Sequence, residues 1–469
     1  MNKLYARRGV VLSLALASSL AVSHAVAGVT LLAVGSLTSS RDGPNTDVSG
    51  LTYSLENGAS ANLLGGLGSG LTYASANTFL ALPDRGPNAT TFDPAVDNTV
   101  SYINRFQTIT MELNSGQNAT GLPFTLVPHL TDTTLLWSDT DLVYGTGEGL
   151  GVGSGVPPLN DSLHHYFTGR SDNFDAAQNS GNPADARFDT ESIRVSNDKK
   201  TIFVSDEYGP YIYQFDRSTG ERIRSFQLPD DFYVTVLKPV GADEISLNTS
   251  GRTANKGMEG LAITPDGTTL VGIIQAALLQ DAHEGGDAAK LLRIVVIDIA
   301  SGTVTHEYAY KLTAGTGVSE ILALNNHEFL VDERDGRGRE GGDNLTSTDA
   351  RVKQVFKIDL NGAFDITGLD GTAAVAHAVP KTLFLDMVQV LVANGFSPTF
   401  DIPSKIEGLT FGRDVTRKSQ TLHTLWISND NDFVLNTGDT PPVPNPNQFF
   451  VFGFTDADLG GSVFVPQFE

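Results

Sequence analysis

The chain has no cysteine among its 469 residues. That excludes disulfides, thiolate metal sites and a cysteine nucleophile. Basic residues are also scarce: 31 Lys and Arg face 54 Asp and Glu, a formal charge of −23. Nucleic acid is therefore not an expected partner, because holding phosphates needs clustered cations. Several catalytic signatures are missing. There is no G-x-S-x-G elbow and no H-E-x-x-H. The glycine-rich loop from Gly145 to Gly155 has no Gly-Lys-Ser/Thr ending and no βαβ context. These gaps argue against an α/β-hydrolase, a zincin and a nucleotide P-loop. No apolar run reaches the ~20 residues that a membrane span needs. Glycine, in contrast, is plentiful at 48 residues, and 40% of the chain is hydrophobic. This composition predicts a large core built of many short strands joined by tight turns.

The N-terminus reads as an export signal. Lys3, Arg7 and Arg8 form a positive start, Val10 to Val22 is apolar, and Ala25-Val26-Ala27 offers a cleavage site, with a second option ending at Ala25. Residues 1–27 are expected to be removed, leaving 28–469 as one domain, periplasmic or secreted. Loss of the leader's three cations takes the formal charge from −23 to −26. The lack of cysteine suits an exported chain.

Strand signals dominate the remainder. Thr201–Ser205 and Tyr211–Phe215 are rich in β-branched and aromatic residues, with Glu207-Tyr208-Gly209-Pro210 as turn chemistry between them. Three apolar runs end in an Asp followed by a Gly-containing turn, at Asp216, Asp298 and Asp359. A larger unit recurs five times, starting near Ser69, Thr190, Met258, Ser319 and Ile406. In each, a polar residue, usually Glu, opens a short strand; a turn and an apolar strand follow, and the strand runs into acids or amides. Repeats of this kind predict an all-β fold, a single β-propeller. The uneven spacing predicts long loop insertions and leans to six blades, with five or seven as alternatives. Asn114–Asn182 is the least regular stretch. One short helix is expected near 384–394, where Phe384, Met387, Val388 and Leu391 share a face and Gly395 follows.

The repeat places Glu191, Glu259, Glu320 and Glu407 at corresponding blade positions. Carboxylates converging on one channel repel each other unless neutralised, and a divalent cation neutralises them, Ca²⁺ above all for hard oxygen donors. Asp84 and Asp430 belong to the same candidate metal set. The competing reading is that each Glu caps a neighbouring blade. A second set follows the apolar strands: Asp84 with Arg85, Asp206 with Glu207, Asp332 with Glu333 and Arg334, and Asp430 with Asp432. Acid-flanked arginines suit phosphate or carboxylate ligands, or else form salt bridges. Candidate catalytic residues are thus Asp206, Glu207, Asp332, Glu333, Arg334 and Arg85.

The segments DTESIRVSNDKKTIFVSDEYGPYIYQFD (Asp189–Asp216), KGMEGLAITPDG (Lys256–Gly267), SEILALNNHEFLVDERDGRG (Ser319–Gly338) and KIEGLTFG (Lys405–Gly412) resemble the bacterial phytase-like family, named for an esterase-like activity of phytase. The resemblance runs from about Ser69 to Asp432. It implies an exported propeller that hydrolyses phosphate esters or related esters; a small anionic ester substrate and a monomeric state are expected. The chain departs from the pattern at Ser192 and at Ser319-Glu320-Ile321, where glycine is expected after Glu. A non-catalytic binding propeller of the cell envelope, and a metal-dependent hydrolase of lactones or sugar esters, are the alternatives.

Overall fold

Five four-stranded antiparallel sheets are arranged as the blades of a propeller. A computed structural model of the chain describes residues 28–116, 121–209 and 211–468. The expected leader lies outside the described residues. Blade 1 comprises Gly70–Ser75, Thr78–Leu82, Arg105–Ser115 and Phe124–Leu135; blade 2 comprises Thr190–Val195, Thr201–Asp206, Ile212–Asp216 and Arg222–Phe226. Blade 3 is Met258–Ile263, Thr269–Ile274, Leu291–Asp298 and Thr303–Lys311, and blade 4 is Gly317–Ala323, Glu328–Arg334, Lys353–Asp359 and Lys381–Asp386. Blade 5 takes Lys405–Arg417, Gln420–Asp430 and Asn447–Phe454 from the C-terminal region. Its fourth, outermost strand is Thr30–Leu37 from the other end of the chain.

Burial follows from this stacking. The inner strands of blades 2, 3 and 4 are buried at every residue, because a neighbouring blade covers each face. Outer strands such as Thr303–Lys311 still expose several residues. Aliphatic and aromatic side chains fill the spaces between blades, for example Phe203, Phe226, Val204 and Met258.

The five-blade count differs from the leaning to six. Among its described residues, the irregular stretch 114–182 holds blade 1's outer strand, a two-stranded ribbon pairing Trp137–Ser138 with His165–Tyr166, and loops, but no four-stranded sheet of its own. Two of the three Asp-turn signals are hairpin ends. Asp216 accepts from the Ser218 and Thr219 N–H groups at 2.8 and 3.0 Å, and Asp298 from that of Ser301 at 2.7 Å. Asp359 makes the same local bond to Asn361 at 2.8 Å, but a long connection follows it. The expected helix starts later than its periodicity suggests. Phe384 belongs to the strand Lys381–Asp386, and the helix spans Met387–Ala393. Asp386 sets that boundary by accepting the Gln389 N–H at 2.9 Å, a side-chain N-cap.

Candidate functional site

The strand registers define two five-membered rings around the propeller axis. Leu71, Ile193, Leu261, Ile321 and Leu409 pair with Ala81, Val204, Gly272, Val331 and Ile427, which makes these five pairs equivalent. Two residues upstream on the inner strands stand Ser69, Glu191, Glu259, Ser319 and Glu407. Three residues downstream on the second strands stand Asp84, Glu207, Gln275, Arg334 and Asp430. Register shifts interrupt the ladder beside Glu191, Glu259, Ser319 and Glu407. A bulge of this kind re-aims a side chain at a strand end.

Two sequence-based equivalences change. The inner ring has three glutamates rather than four, because blade 4 contributes Ser319 there and Glu320 is one residue further along. Arg334 corresponds to Asp84, not to Arg85. Glycine explains the shift. A Cβ on Gly260 would come within 2.6 Å of the Ile321 backbone N, and one on Gly408 within 2.7 Å of the Leu71 N. Glycine after Glu therefore allows the next inner strand to approach. Glu320 occupies that glycine position in blade 4 and fills the space Gly260 leaves. It accepts from Ser192 Oγ at 2.9 Å, from the Leu261 N–H at 3.0 Å, and pairs with Arg194 Nη2 at 2.8 Å. Burial pushes its carboxyl up to about 7 against the pull of Arg194.

The remaining carboxylates gather into two triplets, Asp189–Glu191–Glu207 and Asp84–Asp430–Asp432. In each, one oxygen per residue lies within 4.8 Å of the others. The triplets differ in what already neutralises them. Lys405 Nζ lies 2.8 Å from Asp430 Oδ2 and also pairs with Asp432 Oδ1, so the second triplet has a resident cation. Asp430 and Asp432 together outweigh burial and hold the Lys405 ammonium well above its usual range. In the first triplet only Asp189 has a cationic partner, Arg85 Nη1 at 3.0 Å. Glu207 Oε1 accepts the Gly257 N–H at 3.0 Å. Glu191 is 8% exposed, and its carboxylate makes no hydrogen bond or ion pair with any described residue. Burial, then the charges of Glu259, Glu207, Asp189 and Glu407, push its carboxyl well above the carboxylate range.

The other predicted residues fall around these groups. Glu259 Oε1 accepts from Gln275 Nε2 at 2.5 Å and lies 3.9 Å from Arg334 Nη2, while its Oε2 is buried without a partner. Burial and the charges of Glu207 and Glu407 push its carboxyl well up. Arg334 pairs with Glu407 and donates from Nε to Ser319 Oγ at 2.6 Å. Asp206 accepts the N–H groups of Asp189, Tyr208 and Gly209 at 3.0, 3.0 and 2.9 Å, fixing the loop that carries Glu207. Glu333 accepts from Tyr310 Oη at 2.6 Å and the Ala314 N–H at 2.8 Å and pairs with Lys381, away from both triplets. Asp332 is buried with both oxygens unpartnered, and burial pushes its carboxyl up to about 8. Sequence reasoning missed Asp189 and Lys405. Asp189 and Lys405 each stand two residues before a ring glutamate, a spacing the repeat shows.

All-oxygen carboxylate donors with an unpartnered, buried Glu191 among them fit a hard divalent cation. A family model described as "Phytase-like: Esterase-like activity of phytase" matches residues 62–433. An "Uncharacterized secreted protein" of Arthroderma benhamiae is 32% identical over 31% of this chain and 34% of its own length, so the match spans about a third of that relative. Among solved structures, a putative 6-phosphogluconolactonase from Bacteroides uniformis is 13% identical, covers 81% of this chain and 88% of its own, and has a TM-score of 0.29. The propeller domain of Cps50 (Swd1) from Myceliophteria thermophila is 10% identical over 51% of each chain, with a TM-score of 0.23. Among the described residues, no helix is long and apolar enough to cross a membrane.

Proposed function

This chain belongs to the phytase-like family, and we propose that it is an exported hydrolase of phosphate esters that works with a divalent cation, Ca²⁺ foremost. The observation that carries the reading is the convergence of Asp189, Glu191 and Glu207, with Glu191 buried and unpartnered. Three carboxylates this close are stable together only if protonated or neutralised. Asp189, Glu191 and Glu207 would hold the cation. When bound, a divalent cation neutralises an anionic substrate and lowers the pKa of a water. The strongly acidic chain would otherwise repel such a substrate.

The chain's own groups supply the rest. Arg85 and Arg334 stand on two sides of the carboxylates and are suited to hold phosphoryl oxygens. Glu259 has one free oxygen and a carboxyl raised well above the usual range, which makes it a stronger proton acceptor than an ordinary carboxylate. Asp206 and Glu333 act as positioning residues, through the loop that carries Glu207 and the strand end that carries Arg334. Asp84, Asp430 and Asp432, with Lys405 among them, form a second cation position that needs displacement of that lysine. The expected leader at residues 1–27 and the name of the Arthroderma relative support export.

The test is phosphate release from a panel of mono- and diesters, with Ca²⁺ and with chelator. Release that the chelator stops and that Glu191→Gln abolishes is expected. No chelator-sensitive release from any ester overturns the reading.

A further inference from the structure

Beside the carboxylates lies a pocket of opposite character. Its cavity of about 270 Å³ is lined by Arg85, Arg187, Arg252 and Lys238, with Asp97 and Glu244 as the acids. Four cations against two carboxylates is an excess of positive charge in a chain whose total is −23. Both acids are already engaged. Glu244 lies 2.6 Å from Arg252 Nη2 and 3.5 Å from Arg187 Nη2, and Asp97 accepts the Gly241 N–H at 2.7 Å.

Hydrogen bonding shows the same surplus. Arg187 and Arg252 are 2% and 1% exposed, yet Arg252 Nη1 lacks a hydrogen-bond partner and Arg187 Nη2 has only Glu244, at 3.5 Å. Arg85 Nε and Ser171 Oγ, on the same lining, lack one too. Lys238 Nζ forms no ion pair with any described residue. Buried donors are normally satisfied, and so many on one cavity wall lack an acceptor. The acceptor they suit is an oxyanion approached from several sides. Guanidinium forks and a hydroxyl around a small cavity match a tetrahedral dianion better than a planar, singly charged carboxylate.

We propose that this pocket binds a phosphoryl group. Arg85 links it to the carboxylates, since its Nη1 holds Asp189 while its side chain lines the cavity. A phosphoryl group seated there would be a non-reacting one, anchoring a substrate that carries a second phosphate. That use rests on the phosphate-ester reading; the pocket itself does not.

The experiment is calorimetric titration of inorganic phosphate, and separately of methyl phosphate, into the full chain in chelator, so that no cation contributes. Lys238→Gln, whose ammonium no described residue pairs with, and Arg252→Gln are compared with wild type. Binding that weakens about tenfold in each variant is expected. If Arg252→Gln fails to fold, Lys238→Gln alone decides. Binding of methyl phosphate with that dependence assigns the pocket to an ester's phosphoryl group; binding of inorganic phosphate alone assigns it to free phosphate. No binding of either, or binding that Lys238→Gln leaves unchanged, overturns the proposal whether or not the chain hydrolyses esters.

Discussion

Single carboxylates in this propeller have sharply different fates, and their partners decide which. Glu320 is a structural acid. Its ion pair with Arg194 is buried on both sides, at 0% and 2% exposure. Removing one member leaves the other charged and dry, which costs about 3–5 kcal/mol. Glu320→Ala is therefore expected to lower unfolding free energy by that amount in chemical denaturation, while leaving cation affinity close to wild type. Glu191 behaves oppositely. It has no partner and stands among like charges, so Glu191→Gln removes repulsion. In cation-free protein at alkaline pH, where the carboxyl is charged, Glu191→Gln is expected to stabilise by about 1 kcal/mol or more, seen as a raised Tm. The gain shrinks as the pH falls, because the raised carboxyl takes up its proton before an ordinary one does.

At the scale of the strand, glycine and register govern the site. Gly260→Ala places a Cβ 2.6 Å from the Ile321 backbone N, which no rotamer change relieves. A destabilisation of about 1–3 kcal/mol is expected. Gly336 is the control: nothing lies within 4 Å of its Cβ position, and Gly336→Ala should leave the Tm unchanged. The same register shows why the sequence was only partly legible. The five repeats and their acids were visible as text, as were the turns after Asp216 and Asp298. The bulges were not. Counting along the chain put Glu320 level with Glu191, whereas the hydrogen-bonded pairs put Ser319 there. Lys405 escaped notice because its role as counter-ion depends on the ends of two strands meeting, Lys405 opposite Asp430. The three short helices Gly241–Leu247, Leu279–Glu284 and Gly371–Val375 carry no side-chain N-cap, so no local signal announced them. The sixth blade was an inference from loop length, and loops supplied the residues instead.

Across the whole molecule, buried acids couple stability to pH. Burial raises Asp189 to about 6, Asp206 to about 7 and Asp332 to about 8. Unfolded, these groups lose their protons near pH 4. Between that value and about 8 the folded chain holds more protons than the unfolded one, so its stability falls as pH rises. Cation-free protein should therefore show a Tm that declines from about pH 5 to pH 8, and Ca²⁺ should raise the Tm more at the alkaline end. Closure is the other global property. Thr30–Leu37 supplies the edge strand of blade 5. Its deletion would bare the edge of Asn447–Phe454, and aggregation by light scattering is the expected result.

Cation binding at Glu191 and proton uptake at Glu191 compete for the same oxygens, so the most direct test measures both together. Ca²⁺ is titrated by calorimetry into chelator-stripped protein near pH 6, in buffers of different ionisation enthalpy. Binding with release of protons, lost in Glu191→Gln and retained in Glu333→Gln, is the expected result. No Ca²⁺ binding, or binding that Glu191→Gln leaves intact, contradicts a cation held by Asp189, Glu191 and Glu207.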